Sequence, residues 1–528
     1  MMPAPPGGVG VKVMADAPGA RFWRFWGIRG MSAPGPPARS GRRAPTRCAD
    51  RQPEPSVAGC RPMARPPGAR PAHDETSYEE TMAMIDNDVL KARRARLMEK
   101  IGPEGVMIVV GPGMRRRSND TEYAYRPSSD VLYLSGFGEP EAVVVLAPGR
   151  EEGEFGLFVP DKDPAKEQWE GRRAGPEGAV KTYGADVAFG LSQLDEELPA
   201  FLKGRQTLYY TLGVEPEFDQ RVISWVQTLR HRRNQHLAMP AAISDARDLL
   251  FEARLIKEEA ELQVLRRACE ISAEAHILAM KHCRPGMMEY ELQALIEYHF
   301  RRSGGTYPAY ASIVGAGDNA TILHYTENED RIGEDDVVLV DAGCEYGHYS
   351  GDITRSFPAS GRFSEAQRAL YEKVLVVLNE TIEMIKPGLP YDALQEEASK
   401  KLAAAMIELG LLDETLEEAL ESKSYRKYYP HGIGHWLGID VHDVGLYKLS
   451  EDDSRELEPG MVLTIEPGIY VPADDESAPE ALRGVGVRIE DDILVTASGY
   501  ENLTRMCPKS VEEVEALVGS APADALEI

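Results

Sequence analysis

The sequence predicts two consecutive folded regions, an α/β domain followed by an α+β domain in which strand pairs gather carboxylates. At 528 residues the chain is too long for one ordinary core. Short apolar stretches alternate with helical segments up to about residue 245, which is typical of an α/β domain. Beyond a long helical segment, a strand–turn–strand design occurs twice, each time with one acidic residue per strand.

The first 80 residues do not have the composition of a folded domain. Residues 1–73 hold 14 Pro and 10 Gly, and 12 Lys and Arg against 3 Asp and Glu. Such a stretch cannot build a packed core. An arginine excess is typical of transit peptides, but proline breaks the amphipathic helix that they use. We therefore expect residues 1–80 to be a disordered extension, produced by an upstream start codon, with Met82 or Met84 as the natural beginning.

The α/β domain is predicted over residues 87–253. A helix ending at Gly102 opens it, and strands are predicted at GVMIVVG, VLYLSGF, EAVVVLAP, EFGLFVP and TLYYTLG, with a further helix at LSQLDEELPAFLKG. A long, strongly helical stretch follows, and we place the domain boundary inside it, near Arg254. The second domain is then predicted over 254–516. It closes with the helix VEEVEALVG and leaves a tail at 517–528.

Charge and cysteine content exclude several classes of protein. The chain has a net charge of −27, and its residues beyond 73 carry 47 Lys and Arg against 83 Asp and Glu. A surface this acidic repels nucleic acid and anionic membranes, so neither is an expected partner. The sequence has no apolar run of about 18 residues that would predict a membrane span. Its six cysteines form no C-x-x-C pair, which argues against a disulfide framework and indicates a reducing cytoplasm.

Four acidic residues interrupt apolar strands of the second domain. Asp341 and Asp352 lie in the first strand pair, and Glu466 and Glu490 in the second. Acids at strand edges that face water are the ordinary alternative. An ionised acid on a buried strand, however, costs free energy unless it is paired or bound to a metal. Four such acids cannot neutralise each other, so the pattern indicates bound cations.

The stretch HGIGHWLGIDVHDVG holds three of the chain's 11 histidines: His431, His435 and His442. The first two have the i, i+4 spacing of the helical zinc motif H-E-x-x-H. Glycines at 432 and 434 disfavour a helix, so the stretch is predicted to be a glycine-rich loop leading into a strand. Each histidine has an ordinary structural role as its alternative.

Four carboxylates and one imidazole favour Mn, Co or Fe(II) over metals that prefer thiolates. Two such ions about 3.5–4 Å apart can hold a hydroxide between them and polarise a carbonyl, so the residues predict a hydrolase. No H-E-x-x-H, G-x-S-x-G or G-x-x-x-x-G-K-[ST] motif offers a competing site.

The spacing of Asp341, Asp352, His435, Glu466 and Glu490 resembles that of the pita-bread metallopeptidases. The motifs ILHYTEN, DAGCEYGHYSGDITRSFP, HGIGHWLGIDVHDVG and GVRIEDDI are most similar to aminopeptidase P. SNDTEYAYRPSSDVLYLSGFGEPEAVVVL and EQWEGRR extend the resemblance into the first domain, so it covers about residues 87–516. It implies a creatinase-N-like α/β domain, then a curved antiparallel sheet flanked by helices with an internal pseudo-two-fold.

The resemblance also implies an activity and its residues. Hydroxide activated by two metal ions, for which the resemblance implies manganese, would release the N-terminal residue from peptides with proline in second position. The five ligands would be Asp341, Asp352, His435, Glu466 and Glu490, and Glu466 would also be the general base. Six further residues would act on the substrate side. His442 and His324 would stabilise the oxyanion, and His431, Tyr470 and Arg488 would line or support the pocket. Trp169 either reaches a neighbouring subunit's site or packs as an ordinary apolar residue.

Three alternative functions are compared with this pattern. A prolidase, which cleaves only Xaa-Pro dipeptides, has the same five ligands. A non-enzymatic pita-bread binding protein and a creatinase-like, metal-free hydrolase lack the ligand set. We expect a cytoplasmic homo-oligomer, a dimer or a tetramer, that acts on peptides.

Overall fold

The structure, a computed structural model, describes residues 85–231 and 239–522. The predicted extension at 1–80, with Cys48 and Cys60, and the end of the predicted tail lie outside these residues. In the described part, no helix is both long and apolar enough to cross a membrane. The four cysteines in this part are buried free thiols: Cys269, Cys283, Cys344 and Cys507.

A six-stranded mixed sheet organises the first half of the described chain. The strands of this half are β1 (Gly105–Val110), β2 (Arg116–Ser118), β3 (Thr121–Glu122), β4 (Val143–Leu146), β5 (Phe155–Val159), β6 (Val187–Gly190), β7 (Thr207–Tyr209) and β8 (Ala242–Ser244). The sheet order is β6-β5-β4-β1-β7-β8, while β2 and β3 form a separate exposed ribbon. β4 runs antiparallel to both neighbours, and the other pairs are parallel. The sheet is mixed because only β4 reverses direction.

Helices cover both faces of this sheet. They are α1 (Asn87–Ile101), α2 (Ser129–Ser135), α4 (Gly175–Tyr183), α5 (Leu194–Leu202) and α6 (Pro216–His231), whereas α3 (Pro164–Glu170) has no buried residue. The side chains of β1 alternate between two buried clusters: Met107 packs on the α1 and α2 side, and Ile108 on the α5 and α6 side. A strand buried on both faces reads as a continuous apolar run, which is why β1 was predictable.

One predicted strand is wrong. VLYLSGF forms helix α2 and the turn after it, not a strand. Residues 131–135 are all buried in this short helix, so they show neither a period of two nor one of 3.6. A short apolar run of this kind does not distinguish a buried helix from a strand.

The helical stretch after residue 245 is two helices. α7 (Arg247–Leu255) ends three residues before α8 (Glu259–His282) begins. At the break, the backbone N–H of Lys257 donates to the carbonyl of Gly460 over 2.9 Å. The remaining helices are α9 (Glu289–Arg302), α10 (Glu365–Met384), α11 (Tyr391–Glu408), α12 (Leu416–Ser422) and α13 (Val511–Leu517).

Short antiparallel strands build the second half. They are β9 (Tyr307–Pro308), β10 (Ile313–Ala316), β11 (Val337–Asp341), β12 (Cys344–Tyr346), β13 (Tyr349–Ser350), β14 (Thr354–Pro358), β15 (Val462–Ile465), β16 (Gly468–Val471), β17 (Val485–Arg488), β18 (Asp491–Thr496) and β19 (Gly499–Asn502). The hydrogen-bonded orders are β10-β11-β14, β13-β12-β9, β15-β18-β19 and β16-β17.

The strand–turn–strand design that occurs twice in the sequence corresponds to two antiparallel strand pairs that meet. β11 pairs with β14 so that Asp341 lies opposite Thr354, and β15 pairs with β18 so that Ile465 lies opposite Asp491. The backbone N–H of Glu490 donates to the carbonyl of Thr354 over 3.1 Å, which joins the two pairs. The ends of both pairs therefore lie side by side.

The stretch 431–445 is a loop whose first part runs along the edge of β15. Backbone hydrogen bonds of 2.8–2.9 Å join Ile433, His435 and Leu437 to residues 462–466. The prediction that the loop leads into a strand is wrong. The N–H of Asp443 donates to the carbonyl of Trp436 over 2.8 Å, so the chain turns back before a second ladder can form.

Candidate metal centre and active site

A cavity of about 570 Å³ lies where the two strand pairs meet. Nine of the eleven site residues predicted from the sequence line it: Asp341, Asp352, His435, Glu466, Glu490, His324, His431, His442 and Arg488. Tyr470 is buried against two of them, through hydrogen bonds to His431 and Arg488. The fold thus brings together residues that are up to 166 positions apart in the sequence.

The four predicted carboxylates come from strand ends. Asp341 is the last residue of β11, and Glu466 directly follows β15. Asp352 lies two residues before β14, and Glu490 directly precedes β18. A carboxylate at a strand end can leave the ladder and face the cavity while the apolar strand beside it remains in the core.

Three of the predicted ligands are close enough to hold one ion. One ligand atom each from Asp352, His435 and Glu490 lies within 4.8 Å of the others. The Nε2 atom of His435 is 3.3 Å from Asp352 Oδ2 and 3.9 Å from Glu466 Oε1. Asp341 completes the group from the other side of the cavity, where its Oδ1 shares a hydrogen-bond donor with Asp352.

The two nitrogens of His435 have different partners. Nδ1 is 3.0 Å from the carbonyl of Trp436, which requires Nδ1 to carry the hydrogen. Nε2 therefore faces the carboxylates. Burial acts to lower the pKa of His435, but the hydrogen bond to Asp352 and its charge outweigh burial and raise this pKa to about 9. A position that attracts a proton this strongly also suits a cation.

His431 uses both of its nitrogens within the protein. Nδ1 lies 2.8 Å from the carbonyl of Gly432, and Nε2 lies 2.8 Å from the hydroxyl of Tyr470. Burial and then the charge of Arg488 lower the pKa of His431 to about 3. This neutral imidazole donates from Nδ1 and accepts at Nε2, so neither nitrogen is free to bind a metal.

The cavity holds more negative than positive charge. Burial raises the pKa of Glu466 to about 7, with Asp352 and Asp341 acting in the same direction. Burial and then the charges of Asp352 and Glu466 raise the pKa of Glu490 well above its usual range. Divalent cations would reverse this crowding, since an opposite charge favours the ionised carboxylates. The donor set therefore fits hard divalent ions.

Arg488 connects the centre to its supports. It is buried and donates to Asp341 Oδ2 over 2.5 Å, to the Tyr470 hydroxyl over 3.0 Å and to Thr354 Oγ1 over 3.1 Å. Thr354 in turn donates to Glu490 Oε2 over 2.6 Å. One guanidinium therefore orients carboxylates from both strand pairs.

The two predicted oxyanion histidines lie at the open side of the cavity. His324 and His442 are exposed, and the ring of His442 lies 4.1 Å from that of His435. Neither forms a hydrogen bond within the described ranges, so both can bind a substrate. Trp169 is elsewhere, on α3, where it is 89% exposed and no residue of the helix is buried. Trp169 is therefore not packed as an ordinary apolar residue against the described part of its own chain.

The sequence did not identify two supporting residues. The hydroxyl of Tyr310 lies 2.5 Å from Asp341 Oδ1 and 2.6 Å from Asp352 Oδ1. Asp492 accepts the backbone N–H of Asp352 over 3.0 Å and the Cys269 thiol over 3.1 Å. Tyr310 lies in an irregular stretch with no motif, and nothing in the sequence singles it out. The last acid of IEDD was a signal for Asp492, because it also interrupts a buried strand.

Comparison with known proteins agrees with this geometry. Residues 263–497 match the model of metallopeptidase family M24, and residues 90–209 match that of the aminopeptidase P N-terminal domain. The chain is 43% identical to the Xaa-Pro aminopeptidase of Escherichia coli (strain K12) over 441 residues, which cover 83% of this chain and 99% of that protein. It is 34% identical to human Xaa-Pro aminopeptidase 3, over 81% of this chain and 85% of that protein.

Solved structures show the same similarity. The aminopeptidase PepP of Pseudomonas aeruginosa superposes with a TM-score of 0.81 at 45% identity, covering 83% of this chain and 98% of that one. Zinc-substituted E. coli aminopeptidase P in complex with product gives a TM-score of 0.79 at 43% identity, covering 82% and 98%. These matches confirm the predicted fold class, an N-terminal α/β domain followed by a pita-bread domain. The chain belongs to metallopeptidase family M24, in its aminopeptidase P group.

Proposed function

We infer that this chain is a metal-dependent Xaa-Pro aminopeptidase, which releases the N-terminal residue from peptides that have proline in second position. The observation that carries this inference is the cavity between the two strand pairs. It gathers four carboxylates and one imidazole whose Nε2 faces them, in a chain whose relatives along most of its length are Xaa-Pro aminopeptidases. The intact ligand set argues against a non-enzymatic binding protein and against metal-free hydrolysis.

We propose that five residues hold two divalent ions: Asp341, Asp352, His435, Glu466 and Glu490. Asp352 and Glu490, to which the family resemblance gives a shared role, would hold the ions together with His435, since one ligand atom of each of these three residues lies within 4.8 Å of the others. Oxygen-rich donors with one imidazole favour Mn²⁺ among the metals of this class. When bound, the ions lower the pKa of a shared water and polarise the scissile carbonyl.

The remaining chemistry belongs to the side chains. Glu466 takes the proton of the attacking water and passes it to the leaving proline nitrogen. Asp341 lies within reach of the substrate's N-terminal amine. His442 and His324 donate hydrogen bonds to the carbonyl oxygen as it gains charge. The pocket wall contains a hydrogen-bonded group that supports these residues, formed by His431, Tyr470 and Arg488.

We also propose a homo-oligomer in a reducing cytoplasm. Trp169 is the supporting observation for assembly, because its side chain is 89% exposed and offers a partner a large aromatic contact surface. The buried free thiols are consistent with a reducing compartment. Sedimentation velocity of the wild type and of Trp169→Ala tests the assembly, and a wild-type monomer contradicts it.

The test of the function compares two substrates. The manganese-loaded protein is given an Xaa-Pro-Yaa tripeptide and an Xaa-Pro dipeptide, each with and without a chelator. We expect cleavage of the tripeptide that is lost on chelation. Cleavage of the dipeptide alone identifies a prolidase, and no cleavage of either peptide contradicts the inference.

A further inference from the structure

We propose that Arg254 is a positioning residue for this reaction. Through Asp440 and Asp443 it fixes the part of the loop that carries His442, and through Asp130 it ties that loop to helix α2 of the N-terminal half. The proposal rests on the proposed function, because it concerns the placement of His442 on the substrate side of the cavity. Arg254 lies in neither matched region, since these end at residue 209 and begin again at residue 263.

The guanidinium of Arg254 binds three carboxylates. Nη1 donates to Asp130 Oδ1 over 2.8 Å, and Nη2 donates to Asp440 Oδ2 over 2.7 Å and to Asp443 Oδ1 over 2.6 Å. The side chain is only 3% exposed. A planar group with several fixed donors can hold three acceptors in one arrangement, which an ammonium group does less well.

Lys257 adds a second cation on the same segment. Its Nζ lies 3.0 Å from Asp443 Oδ2, and both side chains are 1% exposed. Burial acts to raise the pKa of Asp443, but Lys257 and Arg254 outweigh it and hold this pKa below its ordinary value. Asp443 is therefore a buried anion that directly follows His442, and its position is fixed by two cations. Removing one partner of such a group leaves an uncompensated buried charge.

The N-terminal half also holds the other end of this short segment. Arg126 Nη2 donates to the carbonyl of Ile439 over 2.7 Å, and the Ser129 hydroxyl donates to Asp440 Oδ1 over 2.5 Å. Ile439 and Asp440 are thus anchored from the N-terminal half, and Asp443 is anchored by Arg254 and Lys257 at the break between α7 and α8. His442, between these anchors, forms no hydrogen bond with any residue in the described part of the chain.

The direction of the His442 imidazole therefore depends on its neighbours' anchors. No strand ladder supports residues 438–443, because the edge pairing with β15 ends at Leu437. A shift of about 1 Å in a group that acts on the transition state can cost about 100-fold in rate. Loss of Arg254 should lower kcat by that order and leave the five proposed metal ligands in place.

Arg93 provides a matched control. It too is a buried arginine between the two halves, with its side chain 1% exposed. Its Nε is 2.9 Å from Glu258 and its Nη2 is 3.1 Å from Glu261. These partners belong to the start of α8 and not to the His442 loop. Arg93→Met therefore removes a comparable buried ion pair without releasing His442.

The experiment measures kcat, KM and metal content for the full-length, manganese-loaded wild type, Arg254→Met, Arg93→Met, His442→Ala and the Arg254→Met/His442→Ala double variant. We expect Arg254→Met to lower kcat about 100-fold with KM and metal content nearly unchanged. Arg93→Met should keep kcat within about threefold, as expected for a site without shared partners. In the His442→Ala background, Arg254→Met should lower kcat little further, because Arg254 acts through that histidine.

If Arg254→Met does not fold, Asp130→Asn tests the same connection at its half-buried partner and should lower kcat about tenfold, as a partial loss of the positioning effect. An unchanged kcat, an equal loss in Arg93→Met, or fully additive losses with His442→Ala overturns the proposal. A wild type without tripeptide cleavage overturns the proposed function instead.

Discussion

His431 and His435 are separated by one helical turn's worth of sequence, yet their environments are opposite. His431 is held between the Gly432 carbonyl and the Tyr470 hydroxyl, and its pKa falls to about 3. His435 donates from Nδ1 to a backbone carbonyl and directs Nε2 at Asp352. At the scale of single residues, a nitrogen that faces the carboxylates identifies the proposed ligand, whereas the spacing of the two histidines does not.

This difference predicts unequal effects on metal binding. His435→Ala removes a proposed ligand, and the variant should therefore retain fewer than two ions per chain. His431→Ala removes only a support of the pocket and should retain two ions, with affinity reduced at most about 10–100-fold, as for partners outside the ligand shell. Metal content after dialysis, measured by atomic emission, checks this. Equal losses in the two variants contradict the assignment.

Glu466 is predicted to move the proton as well as to bind metal. Glu466→Ala should therefore lower kcat by at least about 10²–10⁴-fold, the usual contribution of general acid–base catalysis. Glu451→Ala, which removes an exposed acid from the loop beyond the site, is the control and should be neutral. Steady-state kinetics on the tripeptide measures both variants. Near-normal turnover by Glu466→Ala refutes its role.

At the scale of elements, the edge of β15 positions the histidine loop. The chain at Gly434 passes so close to β15 that a Cβ atom there would lie 1.9 Å from the carbonyl oxygen of Thr464. The neighbouring Gly432 has ordinary space, with the nearest atom 3.6 Å away. The two glycines that exclude a helix thus have different roles, and only Gly434 permits the pairing that places His435.

Substitution at these glycines separates their roles. Gly434→Ala should lower the free energy of unfolding by about 1–3 kcal/mol, because the loop must move off the strand edge. It should also reduce the metal content by displacing His435. Gly432→Ala is the matched control and should change neither. Denaturant unfolding with metal analysis measures both, and equal stability of the two variants contradicts the account.

The elements also show what sequence patterns can predict. The amphipathic helix α1, the doubly buried strand β1 and the two acid-bearing strand pairs followed from periodicity and punctuation. α2 did not, because a short, fully buried run has no period. The turn after Leu437 did not either, because it depends on Asp443 meeting Arg254 and Lys257, which lie about 190 residues away in the sequence.

At the scale of the whole molecule, stability should respond to pH through a buried histidine. His276 on α8 is fully buried, and its Nε2 lies 3.0 Å from the carbonyl of Ala342. Burial lowers its pKa from 6.5 to about 4. Between these two values the unfolded chain binds a proton that the folded chain does not, so stability is lost as the pH falls from 6.5 to 4.

We expect this histidine to remove about 3 kcal/mol of stability across that range. His276→Gln keeps a donor for Ala342 but cannot titrate, so its stability should fall less between about pH 7 and pH 4. Denaturant unfolding of both proteins in chelator, at a series of pH values, measures the difference. Parallel curves for the two proteins contradict the assignment.

The residues of the site were predictable from the sequence, whereas the hydrogen bonds and ion pairs that join them to other segments were not. Asp341, Asp352, Glu466 and Glu490 stood out because acids interrupt apolar strands, and the family resemblance added His435. Tyr310 and Arg254 carry no local signal, because their value lies in the distant carboxylates that they join. Residues that join distant segments become visible only when the chain is folded.

The most direct test of the central claim is a metal titration of the metal-free protein. Mn²⁺ is added in steps while tripeptide cleavage and bound metal are followed, for the wild type and for Asp352→Asn. We predict no activity without metal, full activity at two ions per chain in the wild type, and loss of both metal and activity in the variant. Wild-type cleavage that is indifferent to metal, or an Asp352→Asn variant that binds two ions and turns over normally, would contradict the account.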